Sequence, residues 1–273
     1  MTNDPPVASP QQPPELNSGV PHSARVWNYW LGGKDNFPAD RQVGDLVLEA
    51  FPSIVDVARA SRAFLARAVR YLASEAGMRQ FLDIGTGLPT ANNTHEVAQA
   101  VAPECRVVYV DNDPIVLAHA RALLTSTHQG GTAYIDADLH DPDRILEAAA
   151  KMLDFDQPVA LMLMGIMGHV DDDDEARSIV RRLLDPLPSG SHLALCDGTN
   201  TNPVGVAAQE QYNQSGAIPY RLRSPGQIAG FFDRLELVEP GVVSCPLWRP
   251  DPPDAGDGSP AEVDAFGGVG RKP

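Results

Sequence analysis

The chain has 273 residues, enough for one large or two small domains. Hydrophobic residues make up 43% of it and charged residues 21%, which excludes a wholly disordered chain and a disulfide-stapled miniprotein. The formal net charge of −15 disfavours general nucleic-acid binding, because it repels the phosphate backbone.

Both ends of the chain are rich in proline, glycine and small polar residues. Residues 1–21 therefore predict a disordered tail and residues 251–273 a flexible tail. The domain between them is expected to span residues 22–250, with a helical N-terminal cap over 22–76. Met1 opens no recognisable leader, and the longest apolar run, residues 159–167, is too short to cross a bilayer. We expect a cytoplasmic protein with no membrane partner.

Helix-like and strand-like segments alternate along the centre of the chain. Residues 55–72 predict an amphipathic helix with a solvated arginine face, formed by Arg59, Arg62, Arg67 and Arg70. Strands are predicted at residues 79–84, 106–110, 132–135, 159–164 and 191–196, and helices at 90–101, 114–124, 143–153 and 174–184. This alternation predicts parallel βαβ units in a doubly wound α/β sheet. Residues 235–238 and 241–244 predict a late antiparallel pair at one edge.

A glycine loop follows the first predicted strand in the segment DIGTGLP, residues 83–89. Gly85 and Gly87 allow a tight turn and a close approach of the backbone to a ligand. Asp83 stands where dinucleotide dehydrogenases usually carry an apolar residue, and the third glycine of a G-x-G-x-x-G motif is missing. The loop therefore favours a cationic group over a pyrophosphate.

Two more carboxylates follow the next two strands. Asp111 lies 24 residues after Gly87, a spacing at which an acid accepts hydrogen bonds from two ribose hydroxyls. After the third strand, Asp138 is placed to accept the amino group of adenine, with Asp136 as a competing candidate. A positively charged nucleoside held by three carboxylates without a phosphate cradle describes S-adenosylmethionine, whose product is S-adenosylhomocysteine.

These segments resemble the motifs of a known class of enzyme. DIGTGLP, VVYVDNDP, ADLHDP and PVALMLMGIMGHV resemble successive motifs of the class I S-adenosylmethionine-dependent methyltransferases. The stretch ARVWNYWLGGKDNF, residues 24–37, is similar to the signature of a bacterial family called "S-adenosyl methyltransferase", formerly a domain of unknown function. The resemblance implies a mainly parallel, seven-stranded Rossmann-like sheet with helical N-terminal additions, and methyl transfer to an unidentified small molecule.

The resemblance also implies a set of cofactor-binding residues: Arg25, Tyr29, Gly33, Asp83, Gly85, Thr86, Gly87, Asp111, Asn112, Asp138, Leu139, Met164 and Gly165. Within this set, Asp83 is implied to orient the ammonium group, Asp111 to hold the ribose, and Asp138 with Leu139 to frame the adenine. The first three residues of the set, with Lys34, are implied to form a lid.

His169, after the fourth strand, is the candidate general base, with Tyr29 or Asp197 as the next candidates, although a surface histidine beside the acidic run 171–175 fits the same position. Related members often carry Leu-His where this chain has Met167-Gly168. The acidic run is expected to be the first turn of a helix, and no metal site is predicted. Polar residues after the fifth strand are candidates for lining an acceptor pocket: Asn200, Asn202, Gln209, Tyr212 and Asn213.

Two other function classes remain open from the sequence. One is a non-catalytic, regulatory module that binds S-adenosylmethionine. The other is an NAD-dependent oxidoreductase, which Asp83 and the missing third glycine disfavour. The expected partner is a small-molecule acceptor, with no nucleic acid.

Overall fold

Five apolar runs form the parallel part of one sheet in the computed structural model, which describes residues 18–116, 118, 126–251 and 260–273. These strands are β1 (Gln80–Ile84), β2 (Arg106–Asp111), β3 (Gly131–Asp136), β4 (Ala160–Met164) and β5 (His192–Gly198). Their order across the sheet is β3-β2-β1-β4-β5. All four neighbouring pairs are parallel, so the predicted doubly wound α/β fold is confirmed.

Three later strands complete the other edge: β6 (Glu236–Leu237), β7 (Val243–Ser244) and β8 (Ala265–Arg271). β8 pairs antiparallel with β5, and both β6 and β7 pair with β8. The main path of the sheet therefore has seven strands, with β7 beside it. The expected antiparallel pairing of the late segments with each other is wrong, because β8 is the partner of both.

The flexible tail predicted over residues 251–273 is wrong for β8. Glycine-rich composition indicated flexibility, but here the glycines allow close packing. A Cβ on Gly267 would lie 2.6 Å from Cβ of Cys196 and 2.8 Å from the carbonyl oxygen of Leu195. The absence of side chains therefore lets β8 lie directly against β5.

Eight α-helices are described besides a helical segment that begins at residue 114. They are α1 (Ser23–Trp30), α2 (Pro38–Ala50), α3 (Ile54–Ser74), α4 (Thr94–Val101), α5 (Pro142–Ala149), α6 (Asp173–Leu184), α7 (Pro203–Asn213) and α8 (Pro225–Ala229). The helix predicted over 114–124 lies mostly outside the described residues. So do the tail predicted over 1–21, apart from its last four residues, and residues 252–259.

Apolar side chains cover both faces of the sheet. On one face, α3 buries Phe64 against Trp248, with ring centroids 5.4 Å apart. On the other face, α5 and α6 contribute Ile145 and Leu183 to a cluster around the strands. The described residues contain no helix with both the length and the apolar character needed to span a membrane.

Asp40 holds the N-terminal helices together from a fully buried position. Its carboxylate accepts hydrogen bonds from the backbone N–H of His22 at 2.9 Å and of Phe37 at 2.8 Å. Arg25 pairs with it at 3.2 Å. A buried carboxylate satisfied in this way fixes α1 relative to α2, and so places α1 beside the carboxyl ends of the parallel strands.

Candidate functional site

A cavity of about 330 Å³ opens at the carboxyl ends of the parallel strands. It lies around β1 and β4, where the strand order reverses, which is where open α/β sheets bind ligands. Residues of α1, α3 and α7 also line it. Its volume is within the usual range of small-molecule sites.

The glycine loop forms the cavity wall after β1. Gly85 and Gly87 have φ angles of +75° and +65°, which residues with a Cβ rarely adopt. The Gly87 N–H donates to Oδ2 of Asp111 at 2.9 Å, and the Gly85 N–H donates to the carbonyl of Val110 at 2.9 Å. The loop is thereby tied to the end of β2. Thr86 also lines the cavity.

Asp83 lines the cavity although it is almost completely buried. The Thr94 hydroxyl donates to its Oδ2 at 2.6 Å. Burial raises the pKa of Asp83 to about 6, while the Thr94 hydrogen bond and the positive charge of Arg62 oppose the shift. Its negative charge is therefore costly without a ligand and would be stabilised by a cation.

Arg62 on α3 reaches the same part of the cavity. Its guanidinium donates to the carbonyl of Ala91 at 3.3 Å and to Oδ1 of Asn93 at 2.9 Å. Burial lowers its pKa, opposed by the charge of Asp83. The prediction of a solvated arginine face is wrong for Arg62. It is also wrong for Arg67, which donates to two backbone carbonyls.

Asp111 and Asp138 line the cavity together with Asn112 and Leu139. Burial raises the pKa of Asp111, although the N–H groups of Asp113 and Gly87 donate to it. Asp138 is more exposed. Although partial burial opposes the change, hydrogen bonds from the His140 backbone and ring lower the pKa of Asp138. Asp136 does not line the cavity, so the structure favours Asp138 between the two candidates.

The cavity wall does not include Arg25, Tyr29 or Gly33. The Arg25 guanidinium packs against Asp40 and the Phe37 ring, and the Tyr29 hydroxyl donates to Asp45 at 2.6 Å. The side of α1 that lines the cavity carries other residues: His22, Ser23, Ala24, Val26, Trp27, Asn28, Trp30 and Leu31. These three residues therefore lie outside the cavity wall: the Arg25 and Tyr29 side chains face α2 and its flanking loop, and Gly33 packs against Asn28.

His169 lies in a 3₁₀ turn, Met167–His169, that follows Met164 and Gly165 at the end of β4. Its Nδ1 lies 2.9 Å from the carbonyl oxygen of Pro219, which can only accept, so Nδ1 carries the hydrogen and Nε2 is the acceptor. Burial lowers the pKa of His169, and the Pro219 hydrogen bond opposes the shift. Both Met164 and Gly165 line the cavity, as does this half-buried neutral histidine.

Gly168 makes room for an aromatic neighbour of His169. A Cβ at this position would overlap the ring of Tyr220. The Tyr220 ring contacts the His169 ring edge-on, with centroids 5.2 Å apart. The departure from the Leu-His pattern thus brings a tyrosine to the cavity wall.

Only part of the polar set after β5 lines the cavity. Gln209 and Tyr212 do so from α7, together with Gly205, and this spacing puts all three on one helix face. Asn202 instead caps α7, its side chain accepting from the Val204 N–H at 3.0 Å. The Asn213 side chain is bound to the backbone of Tyr220, and Asn200 is exposed.

The acidic run forms the predicted helix start. Asp172 is the N-cap of α6 and accepts from the Glu175 N–H at 2.8 Å. Asp173 pairs with Arg223 at 2.9 Å and with Arg221 at 3.0 Å. Within the described residues, no group of three or more acidic, cysteine or histidine side chains is arranged to hold a metal ion.

Comparison with known proteins gives similarity over nearly the whole chain. A family model described as S-adenosyl methyltransferase matches residues 9–273. A DUF574 family protein from Streptomyces avermitilis is 48% identical, with a TM-score of 0.88, over 94% of this chain and 99% of that one. A methyltransferase candidate from Thermobifida fusca is 42% identical, with a TM-score of 0.86, over 97% and 99%. No curated protein matches the chain.

Proposed function

Because this chain belongs to the S-adenosyl methyltransferase family, we propose that its cavity holds S-adenosylmethionine beside a small-molecule acceptor. The protein is an S-adenosylmethionine-dependent methyltransferase. Its catalytic cycle leaves S-adenosylhomocysteine and a methylated acceptor. We infer the role of each residue in the cavity wall from its chemistry and its position.

The observation that carries this assignment is the row of carboxylates along the cavity. Asp138 follows β3, Asp111 ends β2 and Asp83 lies one residue before the end of β1; these strands are adjacent, and all three carboxylates line the same space. Neighbouring strands lie about 4.8 Å apart, so the row suits an extended nucleoside. This order supports adenine beside β3, ribose beside β2 and the methionine portion beside β1.

Arg62 adds the group that an amino-acid moiety requires. The methionine portion carries an ammonium and a carboxylate, and the wall beside it offers Asp83 and Arg62. The opposite charges of these two residues interact. We infer that the Arg62 guanidinium binds the carboxylate, since a planar guanidinium suits that group, while Asp83 faces the ammonium.

The sulfonium of the bound cofactor supplies an already activated methyl group, so the protein's main task is positioning. Gly85, Gly87 and Gly165 keep the wall free of side chains where the cofactor lies. His169 is placed to accept a proton from the acceptor, because its Nε2 is the unprotonated nitrogen. The α1 residues that line the cavity shield it from water.

The testing experiment is calorimetric titration with S-adenosylmethionine, S-adenosylhomocysteine and NADH. We expect the first two to bind and NADH not to bind. The Asp111→Ala variant should weaken binding by about 1–3 kcal/mol, because it leaves ribose hydroxyls unpaired. Asp136→Ala is the matched control, since this carboxylate lies outside the cavity.

Other outcomes would favour the alternatives. Binding of NADH alone would contradict the cofactor assignment and favour an oxidoreductase. Binding of S-adenosylmethionine without methylation of any compound in a broad panel of amines and hydroxyls would favour a regulatory module.

A further inference from the structure

The cavity extends past the strands that carry the carboxylate row. Beyond β4 it is lined mainly by apolar and aromatic side chains, among them Trp27, Val47, Phe51, Tyr212, Tyr220 and Leu222. These residues come from α1, α2, α7 and the loops around them. We call this region the acceptor end. Its lining suits a ligand with an apolar body.

One carboxyl group is buried in the described wall of the acceptor end. Asp197 lies near the end of β5 and is 2% exposed. β5 neighbours β4, so Asp197 stands about one strand spacing, roughly 5 Å, beyond the end of β4. That position lies next to Met164 and Gly165, where the methyl group of the cofactor is expected.

The two oxygens of Asp197 differ in their partners. Oδ1 accepts a hydrogen bond from the Tyr220 hydroxyl at 2.6 Å. The same hydroxyl accepts from the Gly198 N–H at 3.3 Å, so its own hydrogen points to Asp197. Oδ2 is buried and has no hydrogen-bond partner within the described parts of the chain. A buried carboxylate with one oxygen unpaired is costly, so a positive charge held beside the Asp197 carboxyl group would be stabilised.

The surrounding charges favour a positively charged donor. Arg62 is the one lysine or arginine among the described residues that line the cavity, and it lies beside β1 with Asp83. Arg223 is held behind the wall by the carbonyls of Met167 and Val170 and by Asp173. Burial raises the pKa of Asp197 to about 7, opposed by the Tyr220 hydroxyl, the charge of Arg223 and the backbone N–H of Gly168. A cationic ligand would hold the carboxylate in its charged form.

We propose that the acceptor is an amine on an apolar body, and that its nitrogen lies beside the Asp197 carboxylate, whose negative charge orients it while it is methylated. This inference rests on the proposed function and specifies its substrate class. Carboxylate and phosphate acceptors are disfavoured at this position, because they would place a second negative group beside the Asp197 carboxylate. Apolar side chains of the acceptor end hold the body, and Asp197 orients the nitrogen.

The reaction balances with groups already present. The bound ammonium gives one proton to Nε2 of His169, because an ammonium has no lone pair. The freed lone pair forms the new N–CH₃ bond, and the C–S bond of the donor breaks with its electron pair on sulfur. The positive charge passes from sulfur to the methylated nitrogen, and the proton leaves from His169 to solvent. His169 and Asp197 both line the cavity, and Tyr220 contacts each of them.

The test uses small fragments, which fit the acceptor end even if the natural acceptor is larger. Benzylamine, benzyl alcohol and phenylacetate share an apolar ring and differ in charge. Each is titrated into the full-length protein saturated with S-adenosylhomocysteine, and binding is followed by ligand-observed NMR. We expect benzylamine to bind about tenfold or more tightly than the alcohol, since a hydrogen bond to a charged group is worth about that factor. Phenylacetate should bind weakest.

Two variants separate Asp197 from the general charge of the cavity. Asp197→Asn keeps the shape and the Tyr220 hydrogen bond but removes the charge, and it should abolish the preference for benzylamine. Asp264→Asn is the matched control, because Asp264 also lines the cavity but its oxygens accept from Thr201 and Asn202. This control should keep the preference.

Calorimetric titration of the same ligand-free proteins with S-adenosylhomocysteine separates a failure of the proposed function from a failure of the amine proposal. If the wild-type protein does not bind S-adenosylhomocysteine, the proposed function is overturned. Intact S-adenosylhomocysteine binding without a benzylamine preference, or with the preference kept in Asp197→Asn, would overturn the amine proposal alone. Unchanged S-adenosylhomocysteine affinity in Asp197→Asn would confirm that the variant is folded.

Discussion

Burial of the charged Asp83 carboxylate lowers the free energy of unfolding. Its pKa is raised from 3.8 to about 6 by burial. Between about pH 4 and 6 the folded protein therefore binds more protons at this site than the unfolded chain does. Its contribution to the free energy of unfolding falls as the pH rises through this window and stays low above it. Selection for ligand binding explains why a carboxylate is kept at such a position.

The Asp83→Asn variant should lose this penalty. Its amide oxygen can still accept from Thr94, so we expect the free energy of unfolding at pH 7 to rise by about 1–3 kcal/mol. Urea unfolding at several pH values between 4 and 8 measures the difference. Affinity for S-adenosylmethionine should fall in the same variant. Lower stability at pH 7 would contradict the interpretation, and Asp136→Asn, at an exposed strand end, is the control.

Arg62 is predicted to discriminate between two related nucleosides. S-adenosylhomocysteine carries the amino-acid carboxylate, whereas 5′-methylthioadenosine lacks the whole amino-acid group. Arg62→Met should weaken binding of the first by about 1–3 kcal/mol and leave the second unchanged in calorimetric titration. Arg59→Met, on an exposed position of the same helix, should change neither. Equal losses for both ligands would show that Arg62 supports the fold rather than the carboxylate.

His169 gives a prediction about pH dependence. Burial lowers its pKa, so the ring is neutral at pH 7 and becomes protonated only below its usual range. As a base it must be neutral, so turnover should fall as the pH decreases through this lowered pKa. His169→Gln should reduce kcat by about 10²–10⁴-fold without changing S-adenosylhomocysteine affinity. Unchanged turnover in this variant, with any acceptor that the wild type methylates, would exclude a base role.

At the scale of elements, the sequence predicts β1 to β5 within about two residues. Most of them are short, buried apolar runs, β3 being only partly buried, and each ends at or directly before a glycine or a carboxylate. Such runs can be recognised as strands from the sequence alone. The sequence also predicts that Asp83, Asp111 and Asp138 lie close together, because parallel strands bring their carboxyl ends to one edge of the sheet.

α1 shows where this kind of reasoning fails. The motif indicated that the segment lies at the site, and it does, but the side chains that line the cavity are not those chosen. Arg25 and Tyr29 share one side of the helix, and Ala24, Trp27 and Leu31 share another. Which side faces the cavity is decided by Asp40, 15 residues after Arg25 in the chain, and no local pattern reveals such a contact.

The sequence does not predict β8, because glycine occurs in proteins for two opposite reasons. In a loop it indicates freedom of the backbone, and in a packed strand it indicates close approach of neighbours. The sequence of residues 265–271 does not distinguish them. Arg62 was missed similarly, because the arginine face of α3 is amphipathic in the ordinary way and only the tertiary structure covers part of it.

β8 also gives a test of this packing. Gly267→Ala places a Cβ against the backbone of β5, which cannot move aside without breaking the sheet. We expect the free energy of unfolding, measured in urea, to fall by about 1–3 kcal/mol. Gly226→Ala in α8, where the nearest atom is 4.0 Å away, should cause no loss. Equal stabilities would mean that β8 does not pack against β5 in solution.

At the scale of the whole molecule, charge and cavity act in the same direction. The net charge of −15 gives the protein a negative field, which raises the local concentration of cations and lowers that of anions. The cavity adds Asp197 at its acceptor end. Both features favour an amine over a carboxylate, one at long range and screened by salt, the other by direct contact.

The position of β8 also bears on how the protein is made. During synthesis β5 emerges from the ribosome with its outer edge unpaired, and it stays so until residues 199–271 have been translated. At ordinary elongation rates this takes roughly 4–15 s. An open strand edge can pair with other chains, so newly made chains would be most prone to aggregation in this interval.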